Sequence, residues 1–304
     1  MKFKKTLAAL LLASTVNYVG EKPLKNPIDR YAIVVVGSDS GERGKSLADP
    51  IDKNSFWLHG TYVYGHLEKL GFNHKNMYFL YANGKPDFDE PLNKKTIQKI
   101  KQNEFNGPIN QNKSSIKNLQ NLLMNLSMKI DDNDLFVLAI LTHGDPFVLD
   151  MDDGKSFDVL LVNKLQLMLK NIKPDIGLLY VDACYSGAYI KQLNLDNYIL
   201  FSGTQKNREG WGDRNFSSSS MFFKNLYDLK SDQNKDGKIT LNEAFQKTKI
   251  ESEKYWNQIL PYLLKKYNWR GENPYEAVKS ISLQPTMIVG KKSSDQIYLF
   301  DYLE

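Results

Sequence analysis

The sequence predicts an α/β fold in which a mostly parallel sheet carries helices on both faces. Short apolar, β-prone runs alternate along the chain with segments that have helical periodicity. Polar residues flank these runs but do not interrupt them, which is typical of strands buried on both faces. Because strands that alternate with helices are joined by crossover connections, their arrangement in the sheet should be parallel.

Five strands are predicted before residue 203, and they cover Tyr31–Val36, Asn76–Tyr81, Leu135–Ile140, Ile176–Tyr180 and Tyr198–Ser202. Between the third and fourth strands, residues 146–150 and 156–160 flank an Asp-Asp-Gly-Lys turn and predict a hairpin. The acids of this turn suggest a metal site, but their spacing fits no standard metal loop, so a plain hairpin is favoured. Residues 287–289 and 296–300 are candidates for one or two late strands.

Helices are expected between these strands, and several have sequence signals at their ends. Asn54 or Ser55 is a candidate cap for a helix that stops near Gly71, and Ser114 or Ser115 opens a helix with one apolar stripe. Further helices are predicted at 162–172, from the serines at 217–220 through Leu229, and from about Leu241 to Tyr267.

The amino terminus has the layout of an export signal. Three lysines precede an apolar run, Leu7–Ala13, and small or polar residues follow that run. The run is too short to span a bilayer comfortably, and the alternative is a buried first helix. We therefore expect residues 1–20 to be a signal peptide and residues 21–304 to form the working domain. After signal removal, no stable membrane span is expected, and the protein should be periplasmic or extracellular.

Charge and cysteine content exclude some classes of function. Removing residues 1–20 takes away three lysines and no acid, so the formal net charge falls from +5 to +2. This small charge argues against nucleic acid or an anionic membrane surface as a partner. Cys184 is the only cysteine, which excludes an internal disulfide and, in an exported protein, suggests a working thiol.

Two short motifs follow the third and fourth predicted strands. The first is Leu-Thr-His-Gly-Asp at 141–145, and the second is Val-Asp-Ala-Cys-Tyr-Ser-Gly at 181–187. Open α/β sheets place their ligands at the carboxyl edge of parallel strands, so His143 and Cys184 should emerge together there. A thiol and an imidazole at one edge make a nucleophile and its base.

The residue types at this edge suit attack on an amide. A free thiol has a pKa of about 8.5, so a neighbouring imidazole is needed to take its proton and pass it to the leaving amine. The oxyanion that forms needs preorganised N–H donors, and the N–H groups of Gly144 and Cys184 are candidates. The plain alternative is a buried cysteine beside a chance His-Gly turn.

These motifs resemble known peptidase signatures. Thr-His-Gly at 142–144 and Asp-Ala-Cys-Tyr-Ser-Gly at 182–187 are similar to the His-Gly and (Glu/Asp)-Ala-Cys-x-Ser-Gly signatures of legumain-type peptidases. The second motif also resembles the Asp-Ser-Cys-His-Ser-Gly pattern of metacaspases. Both groups belong to the caspase-like superfamily of cysteine peptidases, and the likeness runs from about Tyr31 to Leu229.

The resemblance implies a caspase-like three-layer α/β/α sandwich and cleavage of peptide bonds by a Cys–His dyad. It assigns the base to His143, the nucleophile to Cys184 and an oxyanion donor to Gly144. It makes Ser202 and Gly203 candidates for substrate contact. Some legumains have an asparagine after the first strand where this chain has Asp39, and the loop that follows does not match. Cleavage specificity is therefore not transferred.

A calcium loop is predicted at 232–243, where the sequence fits the ligand pattern of an EF-hand. The predicted oxygen donors are the side chains of Asp232, Asn234, Asp236, Thr240 and Glu243 and the carbonyl of Lys238. Hard oxygen ligands at this spacing favour Ca²⁺ over transition metals, and Gly237 occupies the sharp turn. Helices are expected on both sides, with a carboxyl-terminal extension from about residue 244. The alternative is an acidic surface loop without an ion.

Together these features predict an exported, calcium-binding, caspase-like cysteine endopeptidase whose partners are protein or peptide substrates. Two other functions stay open at this point. One is a catalytically inactive, calcium-dependent binding module on a peptidase scaffold. The other is a transpeptidase that passes the same acyl-enzyme to an amine acceptor.

Overall fold

The computed structural model describes residues 29–37, 55–81, 111–152, 157–210, 212–213, 215–269, 273, 281 and 283–290. The predicted signal peptide, Asp39, Asn54, residues 153–155 of the predicted hairpin turn and the candidate strand at 296–300 lie outside these residues. The strands are β1 Arg30–Val36, β2 Met77–Tyr81, β3 Gln111–Asn112, β4 Leu135–Leu141, β5 Gly144–Asp145, β6 Val148–Asp152, β7 Phe157–Leu161, β8 Ile176–Asp182, β9 Tyr198–Ser202 and β10 Thr286–Val289. The helices are α1 Ser55–Lys69, α2 Ile116–Leu126, α3 Val162–Leu169, α4 Ser186–Lys191, α5 Ser218–Asn225 and α6 Leu241–Trp269.

Seven strands form the central sheet in the order β10-β9-β8-β4-β1-β2-β3. Every neighbouring pair is parallel except β9 and β10, which are antiparallel. The remaining strands, β5 to β7, form a separate three-stranded antiparallel sheet that contains the predicted hairpin. The mostly parallel sheet expected from the alternation of strands and helices is therefore confirmed.

Helices cover both faces of this sheet, which gives the predicted three-layer α/β/α arrangement. Alternate residues of β1 and β4 enter two separate cores, so β4 is apolar at every position and β1 at every position after Arg30. One core is closed by α1, α5 and the start of α6, and the other by α2, α3, α4 and the small sheet. The central strands were readable from the sequence because neither face meets water.

Several predicted helix ends are confirmed by their contacts. The Ser115 hydroxyl accepts a hydrogen bond from the Asn118 N–H at 3.2 Å, and the Ser217 hydroxyl accepts one from the Ser220 N–H at 3.3 Å. Gly71 has φ 79° where the chain leaves α1, a left-handed conformation that favours glycine.

Other boundaries differ from the predictions. The helix expected through Leu229 ends at Asn225, and Leu229–Ser231 form a separate 3₁₀ turn. The helix expected at 162–172 ends at Leu169. The two-residue strand β3, which pairs with β2 in parallel, had no sequence signal. Among the described residues, no helix is long and apolar enough to cross a bilayer.

Candidate active site

The carboxyl ends of β4 and β8 are level with each other. Leu141 of β4 pairs with Asp182 of β8, and the Thr142 N–H donates a hydrogen bond to the Asp182 carbonyl at 3.1 Å. His143 and Cys184 each follow two residues after this pair, and both line one cavity. The imidazole and the thiol therefore lie at the same edge of the sheet, as the sequence predicted, and both line the same cavity.

The backbone around His143 is tied to the small antiparallel sheet. The Thr142 hydroxyl donates to the Asp150 carbonyl at 2.7 Å, and the Asp150 N–H donates to the His143 carbonyl at 2.9 Å. The His143 side chain itself is exposed, and its ring meets the edge of the Phe56 ring with centroids 4.9 Å apart. The hairpin thus fixes the main chain, and the His143 side chain is exposed and lines the cavity.

The Cys184 thiol is held by a segment from after β9. The Gly210 N–H donates to the Cys184 sulfur at 3.3 Å, and the Tyr185 N–H donates to the Arg208 carbonyl at 2.8 Å. Burial raises the pKa of the Cys184 thiol, the Gly210 hydrogen bond opposes that rise, and the nearby carboxylates, first that of Glu209, add to it. The raised pKa favours the neutral form of the Cys184 thiol.

The turn after Cys184 is locked by a small hydroxyl network. The Thr204 hydroxyl donates to the Ala183 carbonyl at 3.1 Å and accepts from the Ser186 N–H at 3.1 Å, while the Thr204 N–H donates to the Ser186 hydroxyl at 3.2 Å. At Gly187 an added Cβ would lie 2.6 Å from the Lys206 nitrogen, so no other residue fits without moving that backbone. These contacts explain why serine and glycine follow the cysteine.

Gly144 and Ser202 lie beside the cavity and do not line it. An added Cβ on Gly144 would lie 3.2 Å from the Cys184 carbonyl oxygen, so the two backbones nearly touch. Ser202 is fully buried, and its hydroxyl lies 2.6 Å from the Thr286 hydroxyl. Gly203, the other predicted substrate contact, does line the cavity. The oxyanion role of Gly144 and the substrate role of Ser202 stay predictions from the resemblance.

The Asp182 carboxylate joins the end of β8 to the start of α5, a role that the sequence reasoning missed. It accepts hydrogen bonds from the hydroxyls of Ser217, Ser218 and Ser219 at 2.9, 3.1 and 2.6 Å and from the Ser219 N–H at 2.9 Å. A carboxylate is favoured there by the positive end of the helix dipole. The run of four serines before an apolar helix was the available signal, but its partner lies 35 or more residues away.

His59 of α1 is a second histidine in the cavity wall that the sequence reasoning did not single out. Its ring is 4% exposed, and its Nε2 atom lies 2.5 Å from the Asp213 carbonyl oxygen. Burial lowers the pKa of His59, and the Asp213 hydrogen bond and the nearby carboxylates only partly oppose this. The one sequence signal was a polar residue directly after the apolar run Phe56–Leu58.

The predicted calcium loop lies between the 3₁₀ turn and α6. Gly237 has φ 84°, as its predicted turn requires, and Glu243 accepts from the Gln233 N–H at 3.1 Å and the Thr240 N–H at 2.9 Å. Asp232 accepts from the Gly237 N–H at 2.9 Å. The helix predicted directly before the loop is a single 3₁₀ turn. Within the described chain, no three His, Cys, Asp or Glu side chains cluster closely enough to hold a metal.

The other predicted oxygen donors occupy the same loop. The Asn234 side-chain oxygen accepts from the Asp236 N–H at 2.9 Å, and Asp236 accepts from the Lys238 N–H at 2.8 Å. The side-chain oxygens of Asp232, Asn234, Asp236, Thr240 and Glu243 thus accept hydrogen bonds from N–H groups of the loop itself. The chemistry of this donor set fits calcium, because every predicted ligand atom is an oxygen.

Comparisons with known proteins found a matching peptidase family and similar solved structures. The model of the peptidase C13 family matches residues 60–259, about two thirds of the chain, and that range contains His143 and Cys184. No curated protein sequence matches the chain. The crystal structure of Caspase-1 from Spodoptera frugiperda is similar at 12% identity and a TM-score of 0.48, over 89% of this chain and 93% of that chain.

Proposed function

Because the chain belongs to the peptidase C13 family, and is thus a cysteine-type peptidase by family, we propose that it is an endopeptidase that uses Cys184 as nucleophile and His143 as base. The observation that supports this assignment is that both side chains line one cavity at the level ends of β4 and β8. Protein or peptide chains are the proposed substrates.

The proposed reaction forms and breaks an acyl-enzyme. His143 takes the thiol proton as the Cys184 sulfur bonds to the substrate carbonyl carbon, and it then passes that proton to the leaving amine. Water, deprotonated by the same imidazole, hydrolyses the thioester and restores the thiol. The N–H groups of Cys184 and Gly144 are the proposed donors to the oxyanion.

Because the resting thiol is neutral, the proposed base must remove its proton during the reaction. Since burial raises the thiol pKa, few molecules carry a thiolate at neutral pH, and the proton must leave during attack. His143 suits this role because its side chain is exposed at the cavity and its ring packs against the Phe56 ring. The Gly210 N–H stabilises the sulfur as negative charge develops on it.

Two further proposals rest mainly on the sequence. Residues 1–20 are proposed to direct export to the periplasm or the extracellular space. The loop at 232–243 is proposed to bind one Ca²⁺ through Asp232, Asn234, Asp236, Lys238, Thr240 and Glu243. A bound ion would supply charge neutralisation within the loop and would take no part in bond cleavage. Because α6 begins at Leu241, binding there would fix the start of that long helix.

The proposed activity is tested by incubating a mixed peptide library with the wild-type protein and with Cys184→Ala, and reading cleavage by mass spectrometry. The wild type should produce internal cleavages, and the variant should produce none above background. Cys184→Ala removes one sulfur from a half-buried site, so a thermal melt of each protein shows whether they are equally folded. Equal cleavage by both proteins would end the proposal.

A further inference from the structure

A second cavity lies beside the active-site cavity, between α1, α5 and α6. Its volume is about 350 Å³, compared with about 230 Å³ for the cavity that His143 and Cys184 line. The two cavities share a wall, because His59, Phe216 and Ser217 line both. A volume in this range is typical of sites that hold small molecules. Since neither His143 nor Cys184 lines the second cavity, the proposed peptide cleavage does not use it.

The charged side chains that line this second cavity are two lysines and one glutamate. Lys224 of α5 and Lys254 of α6 are exposed, and among the described residues neither ammonium group has an ion-pair partner. Glu251 is engaged elsewhere, because its Oε1 atom lies 3.6 Å from the Lys247 ammonium and its Oε2 atom accepts a hydrogen bond from the Asn225 amide at 2.9 Å. The second cavity therefore presents two cations that no acid of the described chain pairs with.

The positive charge extends beyond the mouth of the cavity. His66 of α1 has its pKa lowered to about 3, first by desolvation of its partly buried ring and then by the positive charges of Lys69 and Lys224. Lys69 is exposed at the end of α1 and adds a third cation on this side of the molecule. A group of cations of this kind attracts an anion and disfavours another cation.

The rest of the lining combines flat apolar surface with neutral hydrogen-bond donors. The Tyr255 and Phe216 rings stack with centroids 4.6 Å apart and planes 9° apart, and Tyr62 and Met221 add further apolar surface. The neutral donors are the side chains of Asn215, Ser220 and Gln258. Apolar surface with a few placed polar groups is typical of a site for a small organic ligand.

We propose that the second cavity binds a small organic anion, whose carboxylate or phosphate group is held by Lys224 and Lys254 and whose apolar body packs beside Phe216 and Tyr255. Hydrogen bonds between an ammonium group and such an anion are charge-assisted and therefore strong. The site is separate from the active-site cavity, and its occupancy does not depend on peptidase activity. Added salt should weaken the binding, because both lysines are exposed and their charges are screened.

The test measures binding by isothermal titration calorimetry to the full chain carrying Cys184→Ala, so that cleavage does not interfere. The probes are benzoate, phenyl phosphate, inorganic phosphate and benzamide, which is the neutral counterpart of benzoate. We expect benzoate or phenyl phosphate to bind, and the stronger of the two identifies the acidic group. Inorganic phosphate should bind more weakly because it lacks an apolar body, and benzamide should not bind at the same concentrations.

The lysine variants locate the site. In the Cys184→Ala background, Lys254→Met should weaken the binding of the stronger probe by about five- to fiftyfold. Lys249→Met is the matched control, because Lys249 is also an exposed lysine of α6 but does not line the cavity. It removes the same charge and should leave the affinity unchanged. Thermal melts show that each variant is folded, and Lys224→Met provides the same comparison if Lys254→Met is not.

The outcomes decide the proposal without reference to peptide cleavage. Equal affinity for benzoate and benzamide overturns it, because the cations then play no part. Binding that survives Lys224→Met/Lys254→Met in a folded protein overturns it, and so does an equal loss in Lys249→Met and Lys254→Met. Absence of binding by every probe at millimolar concentration overturns it as well. Failure of the wild type to cleave peptides counts against the proposed function alone.

Discussion

His143 and Cys184 leave neighbouring strands at the same level of the sheet, but the structure holds them in different ways. The Cys184 sulfur accepts from Gly210, and the backbones of its neighbours Tyr185 and Ala183 are bonded to Arg208 and Thr204, all from after β9. The backbone of His143 is fixed by the hairpin that follows it, and its side chain is exposed. The turn at Cys184 therefore depends on contacts from a later part of the chain, whereas the backbone at His143 is held mainly by the hairpin next to it.

Because of this difference, substitutions at the two strand ends should change activity and stability to different extents. A change at the end of β8 should affect both, because many buried contacts meet there. A change at the His143 side chain should affect mainly activity, since the side chain is exposed and a ring contact such as that with Phe56 contributes about 0.5–1.5 kcal/mol. The predictions below test this separation.

The largest expected effect is on turnover in His143→Ala. Loss of a general base should lower kcat by about 10²- to 10⁴-fold, because the Cys184 thiol rests in its neutral form. The free energy of unfolding should change by no more than about 1.5 kcal/mol, since the ring contact with Phe56 is lost. Steady-state kinetics and urea denaturation measure the two quantities. A loss of several kcal/mol of stability in this variant would show that the two strand ends are not held differently.

Asp182→Ala should be the most destabilising change at the β8 end. It removes the carboxylate that accepts four hydrogen bonds from Ser217, Ser218 and Ser219 and leaves those donors at the start of α5 without an acceptor. We expect a loss of about 2–4 kcal/mol in the free energy of unfolding.

Asp182→Asn serves as the matched variant, because it keeps the shape and one acceptor oxygen. It should lose a smaller part of that stability in the same urea titration. Equal stability of the wild type and Asp182→Ala would show that the serine network does not hold α5.

Calcium should change the stability of the fold without changing the effects of substitutions at the two strand ends. If the loop at 232–243 binds Ca²⁺, an excess of 100 times the Kd should stabilise the fold by about 2.7 kcal/mol. The effect of His143→Ala on kcat should be the same with calcium and with a chelator.

Glu243→Gln should lose most of the calcium-dependent shift in a thermal melt, because it removes the bidentate carboxylate. Lys235→Ala, in the same loop but outside the predicted donors, is the control. A melting temperature that does not respond to calcium in the wild type would refute the site.

Two glycine substitutions compare the strand ends directly. Gly187→Ala should cost about 1–3 kcal/mol, because its Cβ would lie 2.6 Å from the Lys206 nitrogen and 2.7 Å from the Thr204 carbonyl oxygen. Gly144→Ala should cost less, since its nearest contacts would be 3.1 and 3.2 Å away. Urea denaturation of both variants should preserve this order, and the reverse order would contradict the account.

The smallest effect is a pH dependence of stability from the Cys184 thiol. Its pKa is raised in the folded protein, so below about pH 8.5 the thiol is protonated in both the folded and the unfolded chain. Above that pH the unfolded chain releases its proton first, so this stabilising contribution is lost as the pH approaches the folded value. Wild type should lose stability relative to Cys184→Ala as the pH rises from 8 to 10. If the wild type instead gained stability relative to Cys184→Ala over this pH range, the raised pKa of the folded thiol would be contradicted.

The contrast between local and long-range contacts also explains what the sequence could predict. The strands β4 and β8 and the placement of His143 and Cys184 follow from short motifs, because a buried run and the residues after it are adjacent in the chain. His59 was missed because its partner Asp213 is 154 residues away, and the Gly210 contact to Cys184 spans 26 residues. No periodic pattern reports such pairs.

The errors at helix ends have a related cause. Leu229 was assigned to a helix because it is apolar and in register with Met221 and Phe222, but it is 73% exposed and lies in a 3₁₀ turn. An apolar residue at the correct spacing need not be buried, and α5 ends where its buried stripe ends, near Asn225. Spacing alone therefore overestimated the length of α5.

The most direct test of the central claim is covalent capture of the thiol. A peptidyl acyloxymethyl ketone should label the wild-type protein on Cys184, as read by intact mass and peptide mapping. With His143→Ala the labelling rate at neutral pH should fall by about 10²-fold or more, because no group is left to take the proton. Labelling of His143→Ala at the wild-type rate, or modification at a residue other than Cys184, would contradict the pairing of these two strand ends.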